Sequence, residues 1–140
     1  MNQVVLNKKV SIERCIAQTR KYYAMRGELS FKEDYLKQDA IALNVQRVCE
    51  LCIDIANHLI KTKKLGLPQD SKDSFSLLQR AGLIDEAMMA SLRAMVGFRN
   101  ILVHQYQNLD LDIMVEIIEH RLDGLLDFAN TALALSDGLA

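Results

Sequence analysis

The chain has 140 residues, half of them hydrophobic and a quarter charged, with a formal net charge of −1. That length suits one continuous core, so a single domain over residues 1–140 is expected, and the near-neutral charge disfavours a protein that grips long duplex nucleic acid through its phosphates. No run approaches the roughly 18 apolar residues needed to span a bilayer. The opening MNQVVLNKKVSIER lacks a signal-peptide apolar region, and three cysteines do not form a disulfide framework, so a cytoplasmic protein with no membrane association is expected.

One Pro and six Gly leave little turn punctuation, which favours long helices. The first helix is predicted over residues 5–25, where Ile12, Ile16, Thr19 and Tyr23 recur at spacings of three and four; Gly27 then interrupts. Ser30 and Glu33 have capping-box spacing and predict the next helix start. From there Ile41, Val45, Val48, Cys52, Ile55 and Leu59 form a buried stripe running to about Lys64, where three lysines suit the C-terminal end of the helix dipole and LGLP stops the helix. A short helix over Ser71–Arg80 is closed by Ala81-Gly82, and Asp85 caps a fourth helix that runs through EAMMASLRAMVGFRNILVHQY. NLD (108–110) breaks it, with Asp110 and Asp112 as helix-start residues, and one last helix carries Ile118, Leu122, Leu125, Ala129, Ala132 and Leu135 on a single face. No segment alternates like a strand. The expected fold is all-α, an antiparallel up-and-down bundle of four long helices plus a short one.

Within the fourth helix, RNILVHQY mixes functional polar residues with aliphatic ones. With Arg99 at zero and about 100° per residue, Met95, Phe98, Ile101 and Leu102 fall between roughly 200° and 320°. Arg99, Asn100, Val103 and His104 occupy the other side, and Tyr106 stacks nearly above Arg99. Arg99 and His104 point about 140° apart, so using them together requires a second copy of the chain or a bend near the helix end. Periodicity alone does not separate this arc from a solvated helix face.

The residue types suit cleavage of an RNA phosphodiester by its own 2′-OH. An Arg fork matches two phosphate oxygens, a His exchanges protons near neutral pH, and an Asn amide orients either. Such chemistry requires neither metal nor cofactor.

FRNILVHQY resembles the R-x4-H-x-Y signature of HEPN-domain toxins (higher eukaryotes and prokaryotes nucleotide-binding) in their HepT-like form. ELCIDIANHLI (50–60) is similar to that family's second-helix segment. The resemblance spans nearly the whole chain in order, length and helix count. It implies the toxin of a bacterial toxin–antitoxin pair: a metal-independent endoribonuclease, working as a homodimer around a shared cleft. It also implies an MntA-like nucleotidyltransferase antitoxin that adenylylates Tyr106 and that can join the toxin in a larger hetero-oligomer. Arg99 would clamp phosphate, His104 serve as general acid or base and Asn100 orient them. The alternative is a non-catalytic helical module that binds a nucleotide or a partner.

Other residues carry weaker signals. Asp54 could support Arg99 or His104 if the second and fourth helices pack, and its i,i+4 spacing allows a pair with His58. Cys49 and Cys52 read as core thiols. Tyr22, Tyr23 and Tyr35 read as packing residues rather than base-stacking platforms, and His120 has no assigned role.

Overall fold

The computed structural model describes residues 2–137. Among these, the regular elements are α1 (Gln3–Ala24), α2 (Tyr35–Lys63), α3 (Ser71–Arg80), α4 (Glu86–His104), a 3-10 turn (Tyr106–Asn108), α5 (Leu111–His120) and α6 (Leu122–Ser136). No described strand is present. No described helix is long and apolar enough to cross a membrane.

The long helix α2 is the axis of the bundle, packing against α1, α3, α4 and α6. All six residues of its expected stripe, Ile41, Val45, Val48, Cys52, Ile55 and Leu59, are completely buried. Cross-helix contacts report the directions. Lys8 pairs with Asp54, so α1 runs against α2, while Arg20 with Asp123 and the Asn2 amide on Asp137 set α6 against α1. Phe75 of α3 and Phe128 of α6 meet edge to face at 5.5 Å inside the core.

Helix ends follow local chemistry. Asp70 and Asp85 accept the amides of Asp73 and Met88, capping α3 and α4, and Asp110 does the same for Asp112 and Ile113 at the start of α5. Lys64 ends α2 in the left-handed region at φ 56°, while the Leu65 amide reaches back to the Ile60 carbonyl.

Two expectations are corrected. The capping box at Ser30 lies one turn too early: Ser30 Oγ does donate to Glu33, but the segment remains a turn, and α2 begins at Tyr35 with Asp34 accepting the Lys37 amide. Buried Gln38 donates to the carbonyls of Phe31 and Lys32 and ties that turn to α2. The predicted last helix is two helices, divided at Arg121 (φ −115°). Its apolar face is as expected, with Ile118, Leu122, Leu125, Ala129, Ala132 and Leu135 all buried. No Gly or Pro marks the break; the bend lets Met114 and Ile117 of α5 turn inward as well.

Candidate active site and modification site

The last turns of α4 divide into an inner and an outer side, although Leu92 and Val96, farther back on the Arg99 side of the wheel, are buried as well. Met95, Phe98 and Leu102 are buried, whereas Asn100, Val103 and His104 are exposed. Arg99 takes neither side fully. Its guanidinium reaches inward to the start of α3, where Nη2 donates to Ser71 Oγ at 3.2 Å, and its charge is felt by the Cys49 thiol on α2. Burial pushes that thiol up to about 12, and the Arg99 cation offsets only part of the effect. Arg99 Nε is buried with no hydrogen-bond acceptor among the described residues. A guanidinium cannot shed its proton to escape this, and an unsatisfied buried donor costs about 1–3 kcal/mol. The site therefore holds a permanent cation, anchored at Nη2 and with one inner donor unused.

His104 is the last residue of α4, exposed, and in no hydrogen bond or ion pair among the described residues. A cation at this end would complement the helix dipole. Asn100 lies one turn back on the same edge, also exposed. Within one chain the structure leaves Arg99 turned toward α2 and α3 and His104 turned to solvent.

Alongside this edge, α3 crosses α4 through two bonds of Arg93, to the Lys72 carbonyl and Ser76 Oγ. The Lys72 ammonium passes 3.6 Å from where a Cβ on Gly97 would stand, so the missing side chain admits the lysine. Arg93, Gly97, Asn100 and His104 fall within about 60° of one another around the helix. A positive strip thus leads toward His104.

Tyr106 is not stacked above Arg99, because α4 ends two residues earlier. Gln105 leaves helical geometry at φ −140°, ψ 41°, and residues 106–108 form the 3-10 turn. That turn swings Tyr106 to the start of α2, where its hydroxyl donates to Asp39 Oδ1 at 2.6 Å. Burial, the bond to Asp39 and the Asp39 charge all raise the phenol's pKa, in that order of size. Tyr106 as a whole remains 37% exposed.

Asp54 is not beside Arg99 or His104. It faces α1, paired with Lys8 at 3.7 Å, 57% exposed, on a groove of about 350 Å³ that Arg14, Cys15, Arg47 and Glu50 also line. One hundred degrees per residue turns it away from the Cys49 edge that meets Arg99. Nor does it pair with His58, whose Nε2 lies 3.1 Å from the Asn2 side-chain amide. Cys49 and Cys52 are free, buried thiols. Tyr23 packs edge to face on Phe31 and donates to Glu119, Tyr35 is exposed, and His120 lies at the surface near Glu116 and Glu119. Sequence reasoning missed Ser71, Lys72 and Asp39. Ser71 and Lys72 read as an ordinary helix start and Asp39 as an ordinary exposed helix position, since only the fold brings them to α4.

The HepT-like family model, described as ribonuclease HepT-like, matches residues 12–132. The mRNA nuclease HepT of Shewanella oneidensis is 45% identical over 128 residues, covering 91% of this chain and 95% of that protein. A solved structure of the tri-AMPylated Shewanella oneidensis HEPN toxin in complex with its MNT antitoxin superposes with a TM-score of 0.89 at 44% identity, covering 96% of this chain and 99% of that one. A toxin–antitoxin structure with AMP-PNP gives 0.88 at 43% identity, covering 94% and 99%. The chain belongs to the HepT-like ribonuclease family.

Proposed function

We propose that this chain is the ribonuclease toxin of a two-component pair, acting on RNA in the cytoplasm and silenced when a nucleotidyltransferase antitoxin of the MNT type attaches AMP to Tyr106. The observation that carries the catalytic reading is Arg99, a partly buried cation anchored to Ser71 Oγ on the helix that ends at exposed His104. It suits the non-bridging oxygens of a phosphodiester, whose charge rises as the 2′-OH adds to phosphorus.

In this reading His104 exchanges the protons. As a base it takes the 2′-OH proton as the oxygen attacks; as an acid it protonates the 5′-oxygen as the P–O5′ bond breaks. Asn100, one turn away, orients the ring or the phosphate. Because Arg99 and His104 diverge by about 140°, one copy's arginine and the other's histidine meet across the cleft of a homodimer. Asp54, paired with Lys8 on the α1 side of α2, has no part in this reading. Lys72 and Arg93 extend the positive edge along which RNA would lie.

AMP on Tyr106 places a phosphodiester anion and a base two residues from His104. The adduct competes with RNA for the same cations and needs no change of fold.

RNA cleavage that persists in EDTA and disappears in both Arg99→Ala and His104→Ala is the expected outcome. Cleavage retained by both variants overturns the assignment of Arg99 and His104, and no cleavage by the wild type favours the binding module. Intact mass after co-expression with the antitoxin should rise by whole AMP units, mapped to Tyr106.

A further inference from the structure

Tyr106 and Asp39 are 67 residues apart in sequence and meet through the hydroxyl–carboxylate bond between the 3-10 turn and α2. We propose that Asp39 is the base of the modification reaction: it aims the Tyr106 hydroxyl and takes its proton as the oxygen attacks a nucleotidyl phosphorus. This rests on the reading of Tyr106 as the modified residue.

The geometry does two things a free surface tyrosine lacks. A phenol has one proton and two lone pairs. Here the proton is committed to Asp39, so the lone pairs of the partly exposed oxygen are left for an incoming electrophile. Second, the carboxylate, together with burial, holds the hydroxyl in its neutral form. A phenolate is therefore not formed in advance, and the proton must leave while the new bond forms, to the one acceptor already on it. His104, although close in sequence, makes no bond to this hydroxyl.

The step balances without any further reactant beyond a nucleoside triphosphate. The Oη–P bond to the α-phosphorus forms, the bond from that phosphorus to the pyrophosphate oxygen breaks, and pyrophosphate leaves. The tyrosine proton passes to Asp39 and then to solvent. The product cannot re-form the latch, because Oη no longer carries a proton and its new phosphodiester anion faces the Asp39 carboxylate. Like charges at this separation repel, so the modified tyrosine leaves the start of α2. The proton acceptor for the reaction thus becomes the group that drives its product off.

The test is a time course of AMP incorporation with the cognate nucleotidyltransferase and ATP, mapped by mass spectrometry. Wild type, Asp39→Asn, Asp39→Glu and the Tyr106→Phe blank are compared, with thermal melting as the control for folding. Loss of a positioned base lowers rates about 10²–10⁴-fold. Asp39→Asn should therefore lower kcat for Tyr106 modification at least about 10²-fold with KM for the toxin unchanged, and Asp39→Glu should recover much of it. If Asp39→Asn fails to melt cooperatively, Asp39→Ala with added formate replaces it, and its rate should rise with formate. Wild-type kcat in Asp39→Asn, a loss confined to KM, or no response to formate overturns the role of Asp39. AMP mapped to another residue of the wild-type chain instead overturns the reading of Tyr106 itself.

Discussion

The central stripe of α2 and the C-terminal part of α4 are both helical and in contact, yet they solve opposite problems. On α2, Ile41 through Leu59 repeat without interruption, and every stripe residue is completely buried. At the end of α4 the pattern gives out: a partly buried arginine keeps one donor, Nε–H, without an acceptor, a histidine stands in solvent, and the chain leaves the helix to carry Tyr106 elsewhere. The first region satisfies its groups within the fold. The second leaves them unsatisfied, and a protein holds such groups at a cost when a ligand is to complete them.

That contrast can be broken from either side. The largest stability effect is expected in α2, where Leu59→Ala should cost about 2–5 kcal/mol in chemical denaturation by leaving a cavity at a completely buried core position. In α4, Arg99→Met should behave oppositely. Loss of the phosphate clamp lowers RNA cleavage about 10²–10³-fold, as for removal of a positioned donor to a developing charge. The same change relieves an unsatisfied donor, so the denaturation midpoint should hold or rise, by about 1 kcal/mol. A large fall in stability would show Arg99 to be a structural residue. A pH titration sharpens the α2 side. The Cys49 thiol is raised from 9.0 to about 12, mainly by burial, so the folded state binds this proton more tightly than the unfolded chain does. The resulting stability is complete below pH 9 and is lost as pH rises toward 12, and Cys49→Ala should flatten part of that decline in denaturation curves. The smallest effect belongs to Tyr106→Phe. It deletes a partly exposed hydrogen bond worth about 0.5–1.5 kcal/mol, at the low end because water replaces it. Its cleavage of RNA should persist when the nucleotidyltransferase and ATP are added, whereas that of the wild type is silenced.

The two regions also differ in how far they can be read without coordinates. A period of three and four over nineteen residues, from Ile41 to Leu59, has one solution, so the burial of α2 follows from the residue order itself. The polar arc of α4 is equally readable as a set of residue types, and the wheel anticipates that Arg99 and His104 diverge. What the wheel misplaces is Tyr106, because it assumes a helix that has already ended; Gln105 carries no Gly or Pro signal for that termination. Asp54 fails for a related reason: sharing a helix with Cys49 does not mean sharing its edge.

Residue order alone determined the helical class, the buried stripes, the Asp caps at 85 and 110, and the chemistry available near residue 100, since periodicity and capping depend on neighbours within a few positions. Tertiary structure alone decided that Arg99 leans on Ser71 with one donor unused, that Lys72 crosses at Gly97, that the last helix bends at Arg121, and that Asp39 receives the Tyr106 hydroxyl. Each of these depends on which helices pack together and at what angle, and no local pattern records that.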